Sequence, residues 1–376
     1  MAQSSTSIER FPAVVFCQQN TGSLRVAALT LLDRLVVALH RAGCGPITVV
    51  CRGSLPDLQR SRAWHIEVKA VTASPSLSSP ALVATTDLLA QPSDIREVIR
   101  QKGRLAATDG TALSIGVADG SSTPPLDQLS ALPLVPAKGM AAAIRDAESA
   151  RAAERALWAS LTSSSDGFVD RHFNRPAGRP LSKLLVHTPV SPNTVSITSI
   201  LIGLLAAGCF AIGTFAMAVT GAVLFQLSAI VDCVDGDIAR AVFKESPLGK
   251  WLDLAGDQVV HVAVFAAIAT GLWRQESAVP ALWLGLSAVA GALLSFAVVV
   301  RGMQQVTDKS NPRLRKLIDS ATNRDFSVLV FVLALLEQLE WFLWLTAVGS
   351  HVFWITLLRL QRSGPKATAT HLPTSR

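Results

Sequence analysis

The sequence predicts a protein of two parts: a water-soluble α/β domain at the N-terminus, and an all-α transmembrane domain of six helices after it. Three observations support this. Half of the 376 residues are hydrophobic and only 16% are charged, whereas an ordinary soluble domain carries about 25% charge. Residues 193–360 contain several apolar runs near the ~20 residues that cross a bilayer. Residues 1–135 instead alternate strand-like and helix-like patterns, which predicts an open α/β fold.

In the N-terminal part, short apolar runs bounded by turn residues predict buried parallel strands. These strands are predicted at 13–17, 46–51, 65–71 and 81–87. Apolar residues at helical spacing predict a helix within 26–43 that stops at Gly43. A second helix is predicted over 93–103, with Ser93 as its N-terminal cap. We therefore expect a parallel sheet covered by helices.

The segment between the two domains is predicted to be a linker followed by helices. Residues 121–136 are rich in Pro and Ser and indicate a loop, while the Ala-rich stretch 138–165 predicts a helix. Residues 166–193 interleave apolar side chains with basic ones, which is typical of an amphipathic helix in the lipid headgroup layer. A plain amphipathic linker helix is the alternative. The basic residues are Arg171, Arg175, Arg179 and Lys183.

The six spans are predicted at about 193–213, 215–235, 253–273, 279–300, 325–339 and 340–359. Basic residues are concentrated in the connection 301–325 and in the tail after Arg359, whereas the opposite loops contain only Arg274. The positive-inside rule then places both chain termini in the cytoplasm, in a multi-pass protein of the cytoplasmic (inner) membrane. The N-terminus lacks the pattern of a cleavable signal peptide. This distribution of the net charge of +7 indicates membrane topology and no nucleic-acid partner.

The predicted domain limits follow from these patterns. They are 1–135 for the α/β domain, 136–192 for the linker and interfacial helices, 193–360 for the six spans, and 361–376 for a basic cytoplasmic tail.

Six acidic residues lie within the thirty residues 231–260, between apolar flanks. If the second span continues as a helix to residue 240, then Asp232, Asp235, Gly236, Ala239 and Arg240 share one face. Asp237 lies well round the helix and is excluded. Asp253 and Asp257 are spaced i, i+4 at the start of the third span, so a short loop can bring four carboxylates together.

Each unpaired carboxylate in a membrane helix costs roughly 2.5–3.5 kcal/mol. Two divalent cations would neutralise four carboxylates, and oxygen ligands favour Mg²⁺ or Mn²⁺. Such a metal pair can hold a diphosphate during an in-line displacement, and Arg240 can contact phosphate through two hydrogen bonds. The alternative is that these carboxylates only mark the membrane interface.

The stretch from Asp232 to Asp257 matches the pattern DxxDGxxARx8GxxxDxxxD at every fixed position. In this respect the chain resembles the CDP-alcohol phosphotransferase family over about 166–360, including the Pro-Asn entry to the first span in "SPNTVSITS" (191–199). The resemblance implies a six-helix, usually dimeric membrane fold. It also implies a CDP-linked donor (CDP-diacylglycerol or another CDP-alcohol) bound at two metal ions, and an alcohol acceptor.

Carried over to this sequence, the resemblance assigns roles to individual residues. Asp232, Asp235 and Asp253 would be metal ligands, and Asp257 would be both a ligand and the general base for the acceptor hydroxyl. The hydroxyl would attack the phosphorus next to the transferred group, and CMP would leave, in phospholipid or inositol-phosphodiester synthesis. The donor would contact Gly236 and Arg240, with further candidates in Asn193 and Ser246.

The N-terminal part resembles, less closely, the Rossmann-like nucleotidyltransferase domain of inositol-phosphate cytidylyltransferase/di-inositol-phosphate-phosphate synthases. An active domain of that kind needs a Gly-rich loop after the first strand to bind CTP phosphates. The corresponding stretch "CQQNTGSLR" (17–25) has one glycine, Gly22, which predicts a degenerate domain. Two alternatives stay open: a bifunctional enzyme that also makes its CDP-alcohol from CTP, and a cation-binding transporter. A transporter would place its ionisable groups near midspan, often in two repeats.

Overall fold

The structure is a computed structural model of the full chain. It describes residues 10–18, 20–77, 79–120, 124–162, 166–276, 279–305 and 326–362. The chain divides into two compact units. The first contains residues 1–161 together with Ala239–Lys244, and the second contains Thr162–Ile238 and Glu245–Arg376.

The first unit is built on a seven-stranded sheet in the order β10-β8-β9-β6-β1-β4-β5. The strands of the unit are β1 (Phe11–Phe16), β2 (Arg25–Val26), β3 (Leu29–Thr30), β4 (Cys44–Val50), β5 (Val68–Val71), β6 (Ala81–Thr85), β7 (Leu88–Leu89), β8 (Arg104–Ala106), β9 (Ala112–Ala118), β10 (Leu134–Pro136) and β11 (Ala142–Ala143). The two short pairs β2–β3 and β7–β11 lie outside the main sheet.

The helices of the first unit are α1 (Leu31–Ala42), α2 (Gln59–Ala63), α3 (Pro92–Gln101) and α4 (Ala147–Ser160), with a 3-10 turn at Asp127–Ala131. Helix α1 begins at Thr30, whose side chain accepts a hydrogen bond from the Asp33 amide, and ends at Gly43 in the left-handed conformation. This end is the one predicted from the sequence. Val15, Leu39 and Ile47 are buried in a core that the sheet shares with α1.

Several expectations for the first unit were wrong in detail. The sheet is mixed and not parallel, because β9 runs antiparallel to both β6 and β8. The predicted loop 121–136 contains β10, which pairs with β8 at the edge of the sheet.

The cap of α3 is Gln91 and not Ser93, because Pro92 occupies the first helical position, where its missing amide is not needed. The predicted helix over 138–165 is confined to α4, and residues 163–165 lie outside the described residues.

The second unit begins with a short π-helical turn, Asp170–Asn174, that leads into α5 (Arg175–Leu185). The apolar helices that follow are α6 (Pro192–Ile212), α7 (Phe215–Ala241), α8 (Pro247–Glu276), α9 (Val279–Gln305), α10 (Phe326–Leu335) and α11 (Leu339–Arg362). Within the described residues, all of these except α10 are long and apolar enough to cross a membrane. The second unit is thus a multi-pass membrane domain.

Each predicted span corresponds to one helix of the structure, and the shortest prediction corresponds to the shortest helix. Helix α10 has ten residues, or about 15 Å at 1.5 Å per residue, which is half of the ~30 Å hydrocarbon layer. Residues 306–325, most of the predicted basic connection 301–325, lie outside the described residues, as do residues 363–376 of the predicted basic tail.

Helices α6 and α8 pack closely along a seam of glycines. A Cβ atom on Gly203 would lie 2.6 Å from the Val260 side chain, and one on Gly256 would collide with Ile200. Near the far end of the two helices, a Cβ atom on Gly271 would collide with the backbone oxygen of Phe210. Small residues of this kind let membrane helices approach to backbone contact, so the seam fixes α8 against α6.

Candidate metal and substrate site

The acidic residues of the site come from two helices. Helix α7 stays helical to Ala241, so Asp232 and Asp235 lie one turn apart, and α8 carries Asp253. One carboxylate oxygen from each of these three residues lies within 4.8 Å of the other two. Asp235 is 7% exposed, Asp232 is half-buried and Asp253 is exposed. Oxygen ligands at this spacing suit a hard divalent cation.

Asp257 lies one turn after Asp253 on α8 and is half-buried. It is not a member of the group of carboxylates that lie within 4.8 Å of one another. The structure therefore brings together three of the four predicted carboxylates, and the role of Asp257 stays a prediction.

Two serines of α6, to which the sequence pattern assigns no role, contact the carboxylates of α7. The Ser196 hydroxyl donates to Asp235 Oδ2. The Ser199 hydroxyl shares its hydrogen between the Ser196 backbone oxygen at 2.8 Å and Asp232 Oδ1 at 3.2 Å. Hydrogen bonds to ionised groups are stronger than neutral ones, and such bonds orient metal ligands. The signal in the sequence was the spacing of Ser196 and Ser199, one turn apart in "SPNTVSITS".

A residue of α7 also forms a hydrogen bond with the backbone of Ser199. Ser228, which is fully buried, donates its hydroxyl hydrogen to the Ser199 backbone oxygen at 2.7 Å. One turn of α6 is thereby tied to α7 beside the acidic residues.

Three of the residues near the predicted donor site meet at the start of α8. Ser246 Oγ accepts a hydrogen bond from the Gly249 amide at 2.9 Å, so it caps the helix. A Cβ atom on Gly249 would lie 3.1 Å from both Ser246 Oγ and Asn193 Oδ1. The absence of a side chain at Gly249 therefore leaves space at the start of α8, and Asn193 and Ser246 both border this space.

Gly236 and Arg240, the other two predicted donor contacts, follow Asp235 on α7. Gly236 is half-buried, and Arg240 belongs to the last turn of the helix. Their contact with a donor stays a prediction.

Asp237, which the sequence analysis excluded from the metal ligands, has a different partner. Its Oδ1 accepts a hydrogen bond from Arg175 Nη1 at 2.6 Å, and both side chains are almost completely buried. Arg175 also donates to both carboxylate oxygens of Asp166, at 2.5 and 2.6 Å. Two carboxylates therefore hold Arg175 inside the protein, whereas the position of its segment in the headgroup layer stays a prediction.

These features define a class of protein: a multi-pass membrane protein whose second and third long helices present a group of carboxylates with oxygen atoms close enough to bind a divalent cation. The sequence profile of the CDP-alcohol phosphatidyltransferase family matches residues 189–358. This membrane segment, slightly less than half of the chain, is a CDP-alcohol phosphatidyltransferase domain.

Three curated relatives, each named bifunctional IPC transferase and DIPP synthase, are similar to parts of the chain. The protein from Thermococcus kodakarensis is 29% identical over 190 residues, and the one from Rubrobacter xylanophilus is 36% identical over 137. The protein from Archaeoglobus fulgidus is 29% identical over 199 residues. These matches cover 49%, 36% and 53% of this chain. They cover 41%, 29% and 39% of the relatives, so the chain spans well under half of their length.

Solved structures of one protein, the phosphatidylinositol phosphate synthase of Mycobacterium tuberculosis, are also similar. The structure with CDP-DAG bound is 19% identical with a TM-score of 0.40, and the match covers 53% of this chain and all of that one. The structure in complex with manganese and citrate is 20% identical with a TM-score of 0.38. That match covers 52% of this chain and 93% of the other.

Proposed function

We propose that the chain is a membrane transferase that moves a substituted phosphate group from a CDP-linked donor to an acceptor hydroxyl, with release of CMP. The observation that carries this proposal is the group Asp232, Asp235 and Asp253, whose oxygens lie within 4.8 Å of one another inside the segment that matches the family. Phospholipid or inositol-phosphodiester synthesis is the proposed context, because the donors are CDP-diacylglycerol or another CDP-alcohol.

The donor set of the site fits a divalent metal. The three carboxylates offer only oxygen ligands, which Mg²⁺ and Mn²⁺ accept, and two of them are already oriented by serine hydroxyls. Bound metal would neutralise the charge of the donor diphosphate and of the leaving phosphate. We propose two ions, with Asp257 as the additional ligand on α8.

The protein's own residues would then divide the work of the reaction. Gly236 would let the donor approach α7 closely, and Arg240 would bind its phosphate through two hydrogen bonds. Asn193 and Ser246 would border the donor at the start of α8. The acceptor oxygen forms a bond to the phosphorus next to the transferred group, the bond from that phosphorus to the CMP oxygen breaks, and Asp257 takes the acceptor's proton.

Removal of metal gives the first test. Purified protein in lipid, offered CDP-diacylglycerol and a set of alcohols, should release CMP with Mg²⁺ or Mn²⁺ and stop when EDTA is added, because the carboxylates lose the cations that bind the diphosphate. Release of CMP is the measurement, and restoring excess Mg²⁺ after EDTA is the control. Undiminished activity in the chelator would contradict a metal-dependent transferase.

We also propose that the first unit is a degenerate nucleotidyltransferase-like domain. In the loop after β1, the Gln18 amide donates to Thr86 Oγ1 at 3.0 Å. The Gly22 amide donates to the Gln18 backbone oxygen at 3.0 Å, and the Thr21 and Thr86 hydroxyls are 3.2 Å apart. A phosphate-binding loop needs backbone amides that point at the ligand, and here two of them are used within the protein.

The second test concerns this domain. The full-length protein, mixed with CTP and an alcohol phosphate such as inositol phosphate, should release no pyrophosphate above background, because the loop amides are not available to the CTP phosphates. A coupled pyrophosphate assay measures this, and an active cytidylyltransferase added to the same mixture is the control. Pyrophosphate release by the protein alone would favour the bifunctional alternative, which the names of its relatives suggest.

The remaining proposals concern the setting of the domain. We propose a homodimer in the inner membrane with both termini in the cytoplasm, and domain limits at about residues 135, 192 and 360. The excess of basic residues on one side of the spans supports the orientation. The family resemblance supports the dimer.

A further inference from the structure

Helix α7 has a second polar face in addition to the one that carries the metal-binding carboxylates. Gln226, Cys233 and Asp237 follow one another at intervals of seven and four residues, a spacing that places them on one side of a helix. Asp237 is two residues from Asp235, or about 200° round the helix at 100° per residue. The second face is thus nearly opposite to Asp235.

The segment that precedes the first span contacts this second face. Gln226 Nε2 donates to Asn174 Oδ1 at 2.6 Å, and Asn174 Nδ2 donates to Asp170 Oδ1 at 2.7 Å. Asn174 is fully buried. The backbones also come close, since a Cβ atom on Gly178 would lie 3.0 Å from the Ile230 backbone oxygen.

Arg175 makes the charged contact with this face. Its guanidinium bridges Asp166 and Asp237 with three hydrogen bonds of 2.5–2.6 Å. The three side chains are 7%, 5% and 1% exposed for Arg175, Asp166 and Asp237. A buried ion pair of this kind contributes little net stability but is costly to break from one side. A pair of this kind can instead favour one orientation of a helix over others.

We propose that Arg175 is a positioning residue for the metal site: by holding Asp237, it fixes the rotation of α7 and so the places of Asp232 and Asp235. This inference rests on the proposed function, because it gives the site's carboxylates their role as metal ligands. The serines of α6 hold α7 on the metal side, and Arg175 holds it on the opposite side. If the hydrogen bond from Arg175 to Asp237 is broken, a turn of only a few degrees would move both carboxylates of α7 relative to Asp253.

The test uses Arg175→Lys in the full-length protein. Lysine keeps the charge but lacks the planar fork that can bond two carboxylates at once. The matched control is Arg171→Lys, the same substitution at an exposed position of the same segment. We would measure Mn²⁺ affinity by electron paramagnetic resonance, thermal stability, and kcat and KM for CMP release.

We expect Arg175→Lys to weaken Mn²⁺ binding by about 10–100-fold, as the loss of a group that orients metal ligands does. The value of kcat should fall while KM for the acceptor stays unchanged, and Arg171→Lys should behave like the unmodified protein. A folded Arg175→Lys protein with Mn²⁺ affinity reduced by less than about threefold, well short of that range, would overturn the proposal.

A second variant covers the case in which Arg175→Lys does not fold. Asp237→Leu has a similar size but no acceptor oxygen, so Arg175 loses its partner on α7, and Mn²⁺ affinity should fall in the same direction. An unchanged Mn²⁺ affinity in Asp237→Leu would also overturn the proposal. The measurement of Mn²⁺ affinity tests this inference independently of the proposed function. If no CDP-linked donor yields CMP, the function fails, while the positioning role is still decided by the metal affinities.

Discussion

Replacing Asp257 by Asn is expected to lower the single-turnover rate of CMP release by about 10²–10⁴-fold, the range that general-base assistance contributes. Asparagine keeps an oxygen that can coordinate metal but has no basic group, so donor affinity should weaken only modestly. An alcohol is a poor nucleophile at neutral pH, and without a base its proton is removed too slowly. Rapid-quench measurement at saturating Mg²⁺ and donor gives the rate.

The control for this substitution is Glu245→Gln, which makes the same acid-to-amide change at an exposed residue of the loop between α7 and α8. It should retain full activity. If Asp257→Asn keeps more than about a tenth of the rate, well above what the loss of a base allows, then another residue accepts the proton. That outcome would fit the position of Asp257 outside the group of three carboxylates.

Replacing Asp232 by Asn should weaken the binding of metal and of the CDP-linked donor more than it slows the chemical step. Asp232 is one of the three carboxylates whose oxygens lie within 4.8 Å of one another, and the amide oxygen that replaces it is neutral. Loss of a group that only orients a ligand costs about 10–100-fold in metal affinity, so loss of the ligand itself should cost at least as much. Titration with Mn²⁺ and with the CDP-linked donor measures the effect.

The two variants distinguish the two roles when they are measured side by side. Asp257→Asn should bind metal and donor and turn over slowly, whereas Asp232→Asn should bind both weakly and recover part of its rate at high Mg²⁺. Mn²⁺ affinity of Asp232→Asn equal to that of the unmodified protein would show that Asp232 is not a ligand.

The membrane helices could be predicted from the sequence with small errors in their ends. Apolar runs of this length are typical of membrane-spanning helices. Gly213 ends α6 as a left-handed cap, close to the predicted limit. The proximity of three carboxylates was also predictable, because Asp232, Asp235 and Asp253 lie on continuous helices on either side of a short loop. Helical spacing also correctly separated Asp237 from that group.

Contacts between distant parts of the chain could not be predicted in this way. Arg175 lies among other basic residues in an amphipathic segment, and nothing in that pattern distinguishes it as the one that pairs with Asp237, 62 residues away. Ser196 and Ser199 look like ordinary polar residues of a span entry until α6 is placed beside α7. In the first unit, β10 has only three residues, too few to show a periodic pattern.

Because glycines fix α6 against α8, the spacing of residues along α6 matters for the carboxylate site as much as their identity. Ile200, Gly203 and Phe210 pack against α8, and Ser196 and Ser199 precede these contacts on the same helix. One residue inserted between Ser199 and Ile200 would turn both serines by about 100° and shift them by about 1.5 Å along the axis. Their hydroxyls would then face away from Asp235 and Asp232, although no residue of the site had been changed. The number of residues between the serines and the α8 contacts of α6 therefore determines the geometry of the site.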